Sequence, residues 1–326
     1  MGYLMKDEGN FNGDCLTNVM SLPFIGSLNS YFTTGCGTIY VIVPFISNST
    51  LVELLSGVDL DRDVCIVTSW RIKHLQDGVS SLELYPICKK MGWSLYINSN
   101  LHAKIYSNSF DSMVLSSANC TESALCKNDG NLEFMILVTD MRMGYRIELN
   151  RIIAMSTLVD DSIYDYYCDL INDSDEYTSE PDLTECCFSG LYINQLPTVR
   201  NPVQLWEYLN EPASSLLNPS HAEHDLALYY SGPLDGVNRD CFLSNVGRNF
   251  LKHPFIRELD IRIDEDGMRF GEFKELVQKT CRDTPVPYRK DLTSFIQNLY
   301  VWFTVLFPES YYVDIPGRRS EVLHRR

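Results

Sequence analysis

Short apolar runs, separated by polar stretches that contain glycine, dominate the first half of the chain. Segments 49–57 and 80–92 have the apolar spacing of helices, and each ends at a glycine. The other runs are rich in β-branched and aromatic residues and predict strands over 38–46, 64–68, 94–98, 102–106, 112–117 and 132–138. Strands interleaved with helices are typical of a layered α/β/α domain, which we expect over residues 30–159.

The second half of the chain has apolar residues at helical spacing. Segment 267–281 is predicted to carry an apolar face of Phe270, Phe273, Leu276 and Val277. Segment 291–307 is predicted to start at a capping Asp291 and to carry a longer apolar stripe, formed by Leu292, Phe295, Ile296, Leu299, Trp302, Phe303 and Leu306. Such stripes indicate a core or a dimer interface. Residues 190–326 are therefore expected to form a second, mostly helical α+β domain.

The remaining segments are an N-terminal extension, 1–29, and an acidic connector, 160–189. The extension lacks the basic and apolar pattern of a signal peptide. Residues 160–185 hold ten acidic side chains and no basic one. We expect a helix end followed by a mobile, solvated linker. An alternative is that this stretch mimics nucleic acid or covers a phosphate-binding site.

Composition restricts the functions that the chain can have. Lys and Arg total 27 against 43 Asp and Glu, so the net charge is −16 over 326 residues. Bulk charge of this sign argues against a free-standing protein that holds nucleic acid electrostatically, although a small phosphate site remains compatible with it. The eleven cysteines are scattered and form no CxxC pair. Together with the absence of a long apolar run, this predicts a cytoplasmic protein with reduced thiols and no membrane segment.

Five polar residues in the first domain form the pattern that carries chemistry. His102 and Lys104 are two residues apart, Ser117 and Asn119 are two apart on the next predicted strand, and Glu133 begins the one after. Side chains two apart on a strand share a face. This set suits phosphoryl transfer. Histidine can attack phosphorus or protonate the leaving oxygen, lysine and asparagine can hold the phosphate oxygens, and glutamate can orient the imidazole.

In this order the five residues resemble the signature of the phospholipase D superfamily, in which His-x-Lys is followed by Asp and then by Gly-Ser-x-Asn. The resemblance covers about residues 30–140. It is closest to a single-motif, nuclease-like branch that includes metal-independent restriction endonucleases. Ser109 stands at the signature aspartate, which the nuclease-like branch can do without. Ser116 stands at the signature glycine, where a side chain is expected to narrow the phosphate site.

The resemblance implies a phosphodiesterase that cleaves nucleic acid through a phosphohistidine, with no metal or other cofactor. One motif supplies one histidine, whereas the reaction needs a nucleophile and an acid, so a homodimer is expected. The family also suggests the nuclease subunit of a bacterial defence complex. Two alternatives stay open, a phospholipid hydrolase and a catalytically degenerate structural or regulatory subunit.

The net charge further predicts an additional, basic protein subunit that loads or gates the substrate. Local cations expected to help are Lys104, Arg282, Arg289, Lys290, Arg318 and Arg319.

Three other histidines are weaker candidates. His221 and His224 have the spacing of a metal pair on a helix, but a surface helix after Pro219 is the simpler interpretation. His74, which follows Arg71 and Lys73, is expected in a solvated turn, with approach to the substrate as the alternative.

Overall fold

In a computed structural model of the chain, two compact units are present, and each is described by itself. The first comprises residues up to 142 together with 156–172, and the second comprises 143–155 with 190–326. The predicted fold class, an α/β unit followed by a mostly helical unit, is confirmed. The structure describes residues 18–19, 24–127, 130–172, 190–264, 266–283, 285–316 and 320–326.

The first unit is built on one eight-stranded sheet in the order β1-β7-β6-β5-β2-β3-β4-β8. The β2–β3 and β3–β4 pairs are parallel, and the other pairs are antiparallel. Its strands are β1 (Asn18–Val19), β2 (Ile39–Ile42), β3 (Val64–Thr68), β4 (Ser94–Ile97), β5 (Ile105–Asn108), β6 (Ser112–Ser116), β7 (Met135–Val138) and β8 (Thr157–Leu158). Its helices are α1 (Phe24–Thr34), α2 (Asn48–Leu54), α3 (Ile72–Gln76), α4 (Leu84–Met91), α5 (Glu122–Leu125) and α7 (Asp161–Asn172).

The strand directions bring several chain segments to one edge of this sheet. Parallel β2, β3 and β4 end at this edge. Because β5 is antiparallel to β2, β6 to β5 and β7 to β6, β5 and β7 begin at the same edge and β6 ends there. We call this the carboxyl edge. It is the edge where α/β sheets commonly place binding residues.

Helix α1 corrects the predicted N-terminal extension. Residues 24–29 are the first half of this helix, and its side chains Phe24, Leu28 and Phe32 are buried in the first unit. Burying these large apolar groups stabilises the helix against the unit, which the short sequence pattern alone did not indicate. The rest of the extension, 1–17 and 20–23, lies outside the described residues.

The second unit contains most of the helices and a small three-stranded sheet, ordered β10-β11-β9. A 3-10 turn covers Ile193–Gln195. Its helices are α6 (Met143–Ala154), α8 (Val203–Asn210), α9 (Pro219–Tyr229), α10 (Arg239–Phe250), α11 (Pro254–Arg262), α12 (Phe270–Thr280) and α13 (Thr293–Leu306). Its strands are β9 (Met268–Arg269), β10 (Tyr311–Asp314) and β11 (Val322–Arg325).

The predicted domain boundary at residue 159 differs from the observed division, because α6 belongs to the second unit. Ile147 of α6 is part of that unit's apolar core. Arg146 Nη2 lies 2.7 Å from Glu223 Oε1 on α9, and the hydroxyl of Tyr208 donates to the same carboxylate. Glu223 is only 3% exposed, so this pairing satisfies a charge that would otherwise be costly to bury.

Helix α7 is the predicted helix end before the connector, and helix α13 corrects a predicted cap. Residues 161–172 of the predicted acidic connector form a helix that buries Ile163, Tyr167 and Leu170 in the first unit. The other connector residues, 173–189, lie outside the described part of the chain. Helix α13 starts at Thr293 without a side-chain cap, so the predicted cap at Asp291 is wrong. Its apolar stripe is buried as predicted at Leu292, Ile296, Leu299, Trp302 and Phe303.

Candidate active site

His102 and Lys104 lie at the carboxyl edge, in the segment that leads into β5. The predicted strand over 102–106 begins only at Ile105. The β5–β6 pairing nevertheless continues one step further, because Ser116 N donates to the carbonyl of Lys104 at 3.1 Å. Lys104 Nζ turns back and donates to the carbonyl of His102 at 2.9 Å. The ammonium and the imidazole are therefore carried by one short, anchored segment.

Ser117 and Glu133 meet across the ends of β6 and β7. The hydroxyl of Ser117 donates to Oε2 of Glu133 in a short hydrogen bond and accepts from the backbone N–H of Phe134 at 2.9 Å. Asn131 Nδ2 donates to the other carboxylate oxygen at 3.2 Å. Both oxygens of Glu133 thus have protein donors. A carboxylate held in this way has a fixed orientation at the edge.

Asn119 lies between two anchored backbone groups at the end of β6. Tyr106 donates its hydroxyl to the carbonyl of Ala118 at 3.2 Å, and Ser47 N donates to the carbonyl of Cys120 at 2.8 Å. Burial raises the pKa of Tyr106 and of Cys120, so both side chains stay neutral beneath the edge. Within the described residues, the buried Oδ1 of Asn119 has no hydrogen-bond partner. A buried amide in this position is suited to a ligand.

Ser116 and Ser109, which replace the signature glycine and aspartate, lie at opposite ends of the β5–β6 hairpin. Ser116 Oγ accepts from Ala118 N at 2.8 Å, so its side chain is turned into the local backbone, and its φ is not positive. A glycine is therefore not needed there, and the hydroxyl has a structural use. Ser109 lies at the other end of β5, in the β5–β6 turn. This turn has positive φ at Ser109 and Phe110, and it is closed by Asp111 N donating to the carbonyl of Asn108.

One predicted contact is absent. The imidazole of His102 is exposed and has no hydrogen-bond partner within the described residues, so the expected pairing with Glu133 is not formed. Ser117 and Asn131 hold the carboxylate instead. The structure thus places all five predicted residues at one edge, with direct contact between Ser117 and Glu133. The Ser117–Glu133 contact could not be deduced from spacing, because it depends on the β6–β7 register.

The two histidines of helix α9, His221 and His224, have different surroundings. Helix α9 begins after Asn218, whose Oδ1 accepts from Ser220 N, and His221 is exposed as predicted. His224 is largely buried. Its Nδ1 lies 2.8 Å from Oδ1 of Asp225, and its Nε2 lies 2.6 Å from the carbonyl of Asn194. Two acceptors on the two ring nitrogens favour the imidazolium form.

His74 corrects the prediction of a solvated turn. It lies in the short helix α3, and its half-buried ring packs edge-on against Phe45 with centroids 5.0 Å apart. The preceding Arg71 donates from Nε to the carbonyl of Ser99 at 2.7 Å. The basic run after β3 had indicated Arg71 and His74 as candidates. No sequence pattern predicted the hydrogen bond from Arg71 to the carbonyl of Ser99. Asn131 was missed for the same reason, although it stands two residues before Glu133.

The carboxyl edge carries an exposed imidazole, an ammonium, an amide and an oriented carboxylate. These groups can supply a nucleophile, hold phosphate oxygens and stabilise an imidazolium. In the part of the chain that is described, no cluster of three or more His, Cys, Asp or Glu side chains has the arrangement of a metal site. No described helix has the length and apolarity needed to cross a membrane.

Comparison with solved structures gives matches of low sequence identity. NucT from Helicobacter pylori is 13% identical, with a TM-score of 0.37, over 44% of this chain and 98% of its own. Nuc from Salmonella typhimurium, a phospholipase D family member, is 18% identical, with a TM-score of 0.37, over 44% and 99%. Phosphatidylserine synthase from Haemophilus influenzae is 12% identical, with a TM-score of 0.34, over 45% and 38%.

No protein-family model and no curated protein matches the chain. The order of His102, Lys104, Ser117, Asn119 and Glu133 resembles the signature of the phospholipase D superfamily.

Proposed function

We propose that this chain is a metal-independent phosphodiesterase that cleaves nucleic acid through a covalent intermediate on His102. One observation carries the proposal. His102 and Lys104 precede β5, Ser117 and Asn119 follow β6, and Glu133 precedes β7, and strand pairing gathers these three segments at one edge of the sheet.

The reaction runs in two balanced steps. A ring nitrogen of His102 forms a bond to phosphorus, and the bond from phosphorus to the leaving nucleoside oxygen breaks. The leaving oxygen takes a proton from a second imidazolium, which becomes neutral. Water then attacks the phosphohistidine, the second imidazole accepts its proton, and His102 is released. Lys104 Nζ and Asn119 Nδ2 donate to the non-bridging oxygens, where negative charge develops.

The second imidazole is that of the partner subunit's His102 in a homodimer. An exposed apolar group beside Glu133 supports this arrangement. Leu132 and Phe134 are 102% and 57% exposed, and Leu115 on the next strand is 37% exposed. Phe134 pairs with Ser117, so this apolar rim adjoins the candidate site. Exposed apolar groups of this kind are typical of interaction surfaces. Phe134→Ser is expected to shift the protein toward monomer in analytical ultracentrifugation and to lower its activity.

We further propose that a basic protein subunit loads the substrate, as in a defence complex. The net charge of −16 opposes the approach of a polyanion. Of the cations expected to compensate, Arg289 lies 3.8 Å from Glu275, and Arg318 and Arg319 lie outside the described residues. The isolated His102→Ala protein is therefore expected to bind nucleic acid weakly in a gel shift at moderate salt. Binding well below micromolar without a partner would contradict this part of the proposal.

The deciding experiment is cleavage of plasmid and single-stranded oligonucleotides by the purified dimer in EDTA. We expect wild-type activity to persist and His102→Ala to lose at least about a hundredfold, the lower range for acid–base and nucleophilic groups. His221→Ala is the matched control, since His221 is exposed on α9 and distant in sequence. Activity that needs added magnesium contradicts the mechanism. A biological effect that survives His102→Ala favours the degenerate, structural subunit.

A further inference from the structure

The loop after β3 is a second group of polar and aromatic residues at the carboxyl edge. Ser69 N donates to the carbonyl of Pro44 at 3.2 Å, and Thr68 Oγ1 donates to the same carbonyl at 3.1 Å. These bonds join the loops that follow β2 and β3. Phe45 comes next after Pro44, and its ring packs against His74. The loops therefore form one continuous surface next to the segment that carries His102.

Several buried polar atoms beneath this surface lack partners within the described residues. They include Oδ1 of Asn48, Oγ of Ser69 and Nδ1 of His74. Buried polar groups are nearly always satisfied in folded proteins, and exceptions concentrate at functional sites. The proposed catalytic reaction uses none of these three groups.

Arg71 connects this surface to the candidate active site. Its Nε donates to the carbonyl of Ser99, three residues before His102. The side chain is exposed, so the two terminal nitrogens of the guanidinium are accessible to an anion. Lys73, two residues further on, is also exposed. In a chain of net charge −16, two exposed cations next to an aromatic pair form a local site for an anion attached to a ring.

The spacing suits a nucleic-acid strand. In the sheet, β2 lies between β5 and β3, so the loop after β3 is about 10 Å, or two strand spacings, from the segment before β5. A nucleotide next to the scissile phosphate covers this separation. Its base can contact Phe45 and His74 while the following phosphate reaches Arg71 and Lys73.

We propose that the loops after β2 and β3 form a binding subsite for one unpaired nucleotide that flanks the scissile phosphate. Phe45 supports the base, the His74 ring holds Phe45 in place, and Arg71 and Lys73 bind the phosphate. The inference rests on the proposed function, because it extends the same substrate. It adds that cleavage favours strands with an unpaired base at this position, since a base held in a duplex stack cannot reach an aromatic platform.

The test measures binding and cleavage separately. Binding of a labelled single-stranded 12-mer is measured by fluorescence anisotropy in the His102→Ala background, with a second 12-mer that lacks the flanking base. Arg71→Gln and Lys73→Gln are expected to lower the negative slope of log K against log salt by about one each. Lys90→Gln is the matched control, since Lys90 is exposed at the end of α4, before β4, at the opposite edge.

The base contact is tested by combining protein and substrate changes. Removing the flanking base is expected to weaken binding roughly tenfold in the parent protein and very little in Phe45→Ala. Phe45→Leu preserves most of the apolar volume and checks that the loop still folds, and it should behave like Phe45→Ala toward the abasic strand. If removal of the base weakens binding equally in the parent, Phe45→Ala and Phe45→Leu, the proposed subsite is wrong.

The outcomes distinguish this inference from the proposed function. If wild-type protein cleaves nucleic acid but Arg71→Gln and Lys73→Gln match Lys90→Gln in salt slope and KM, the subsite is wrong and the phosphodiesterase stands. If His102→Ala binds neither strand at any salt and wild-type protein cleaves neither, both fail. A higher KM with unchanged kcat in Arg71→Gln supports the subsite.

Discussion

Ser117 and Glu133 share a hydrogen bond across the ends of two antiparallel strands, and the same serine hydroxyl accepts from the backbone N–H of Phe134. This bond links Ser117 of the Ser-x-Asn motif to Glu133, and it forms because the register of β6 with β7 brings the two residues together. The carboxylate is therefore oriented before any substrate binds. Preorganised groups of this kind contribute to catalysis because they need no reorganisation during the reaction.

The first prediction concerns this pair. Ser117→Ala leaves Glu133 with fewer donors, and we expect kcat to fall by about tenfold, the cost of one hydrogen bond to a charged group. Glu133→Gln should lower kcat as well. The double variant should lose less than the two single variants combined, with a coupling of about 0.5–3 kcal/mol in a double-mutant cycle. Thr121→Ala, which removes a nearby hydroxyl bonded only weakly to Ser123, is the control. Strict additivity would show that the pair does not act together.

The second prediction concerns Ser109, which stands at the signature aspartate. It lies at the far end of β5, about 20 Å along the chain from His102 at strand spacing. Ser109→Asp should leave kcat within about twofold, as expected for surface substitutions. Stability should fall by about 1 kcal/mol, because the Ser109 hydroxyl no longer donates to the carbonyl of Cys36. Urea unfolding and steady-state kinetics on the same preparation check both. A large change in kcat would place residue 109 in the catalytic machinery.

The third prediction concerns His224 in the second unit. Burial alone would lower its pKa, but the hydrogen bond and charge of Asp225, with the carbonyl of Asn194, outweigh burial and raise the pKa above 6.5. The folded state therefore binds the proton more tightly than the unfolded state. The stabilising effect is complete below pH 6.5 and is lost as the pH rises through the raised pKa. His224→Gln should remove this decline in urea unfolding measured from acid to alkaline pH. An unchanged decline would show that His224 is not its source.

The fourth prediction has the opposite sign. Burial lowers the pKa of His253 from 6.5 to about 4. The unfolded state then binds more protons between those two values, so stability is full above pH 6.5 and decreases as the pH falls toward 4. His253→Gln should reduce this acid destabilisation, as followed by thermal melts at pH 4.5 and pH 7. The comparison uses the difference between the two melts, so a general loss of stability in the variant does not affect it. No difference between variant and parent contradicts the assignment.

The sequence predicted the sheet more fully than the site. Continuous apolar runs such as Val64–Thr68 predicted buried strands correctly, because burial on both faces needs few polar positions. Helix α1 was missed, since its Phe24 and Leu28 precede the first predicted strand and their burial depends on tertiary packing. The assignment of α6 to the second unit depends on the ion pair of Arg146 with Glu223, which are far apart in the chain.

For the site, residue types and their order led to the prediction of His102, Lys104 and Asn119. Strand register, which the sequence does not encode locally, determined that Glu133 contacts Ser117 rather than His102. The basic run after β3 had indicated Arg71, but its bond to the carbonyl of Ser99 is a long-range contact. The contacts that the sequence did not predict are those that depend on the partner strand.

The central claim is that His102 becomes covalently bonded to phosphorus during the reaction. The most direct measurement is intact-protein and peptide mass spectrometry after rapid alkaline quenching of wild-type protein with an excess of oligonucleotide, in EDTA. Alkaline conditions preserve a phosphoramidate bond. We predict an adduct carrying the phosphorylated fragment on the peptide that contains His102, which decays as product forms and is absent in His102→Ala. Cleavage that proceeds without an adduct, or an adduct that persists in His102→Ala, would contradict the mechanism.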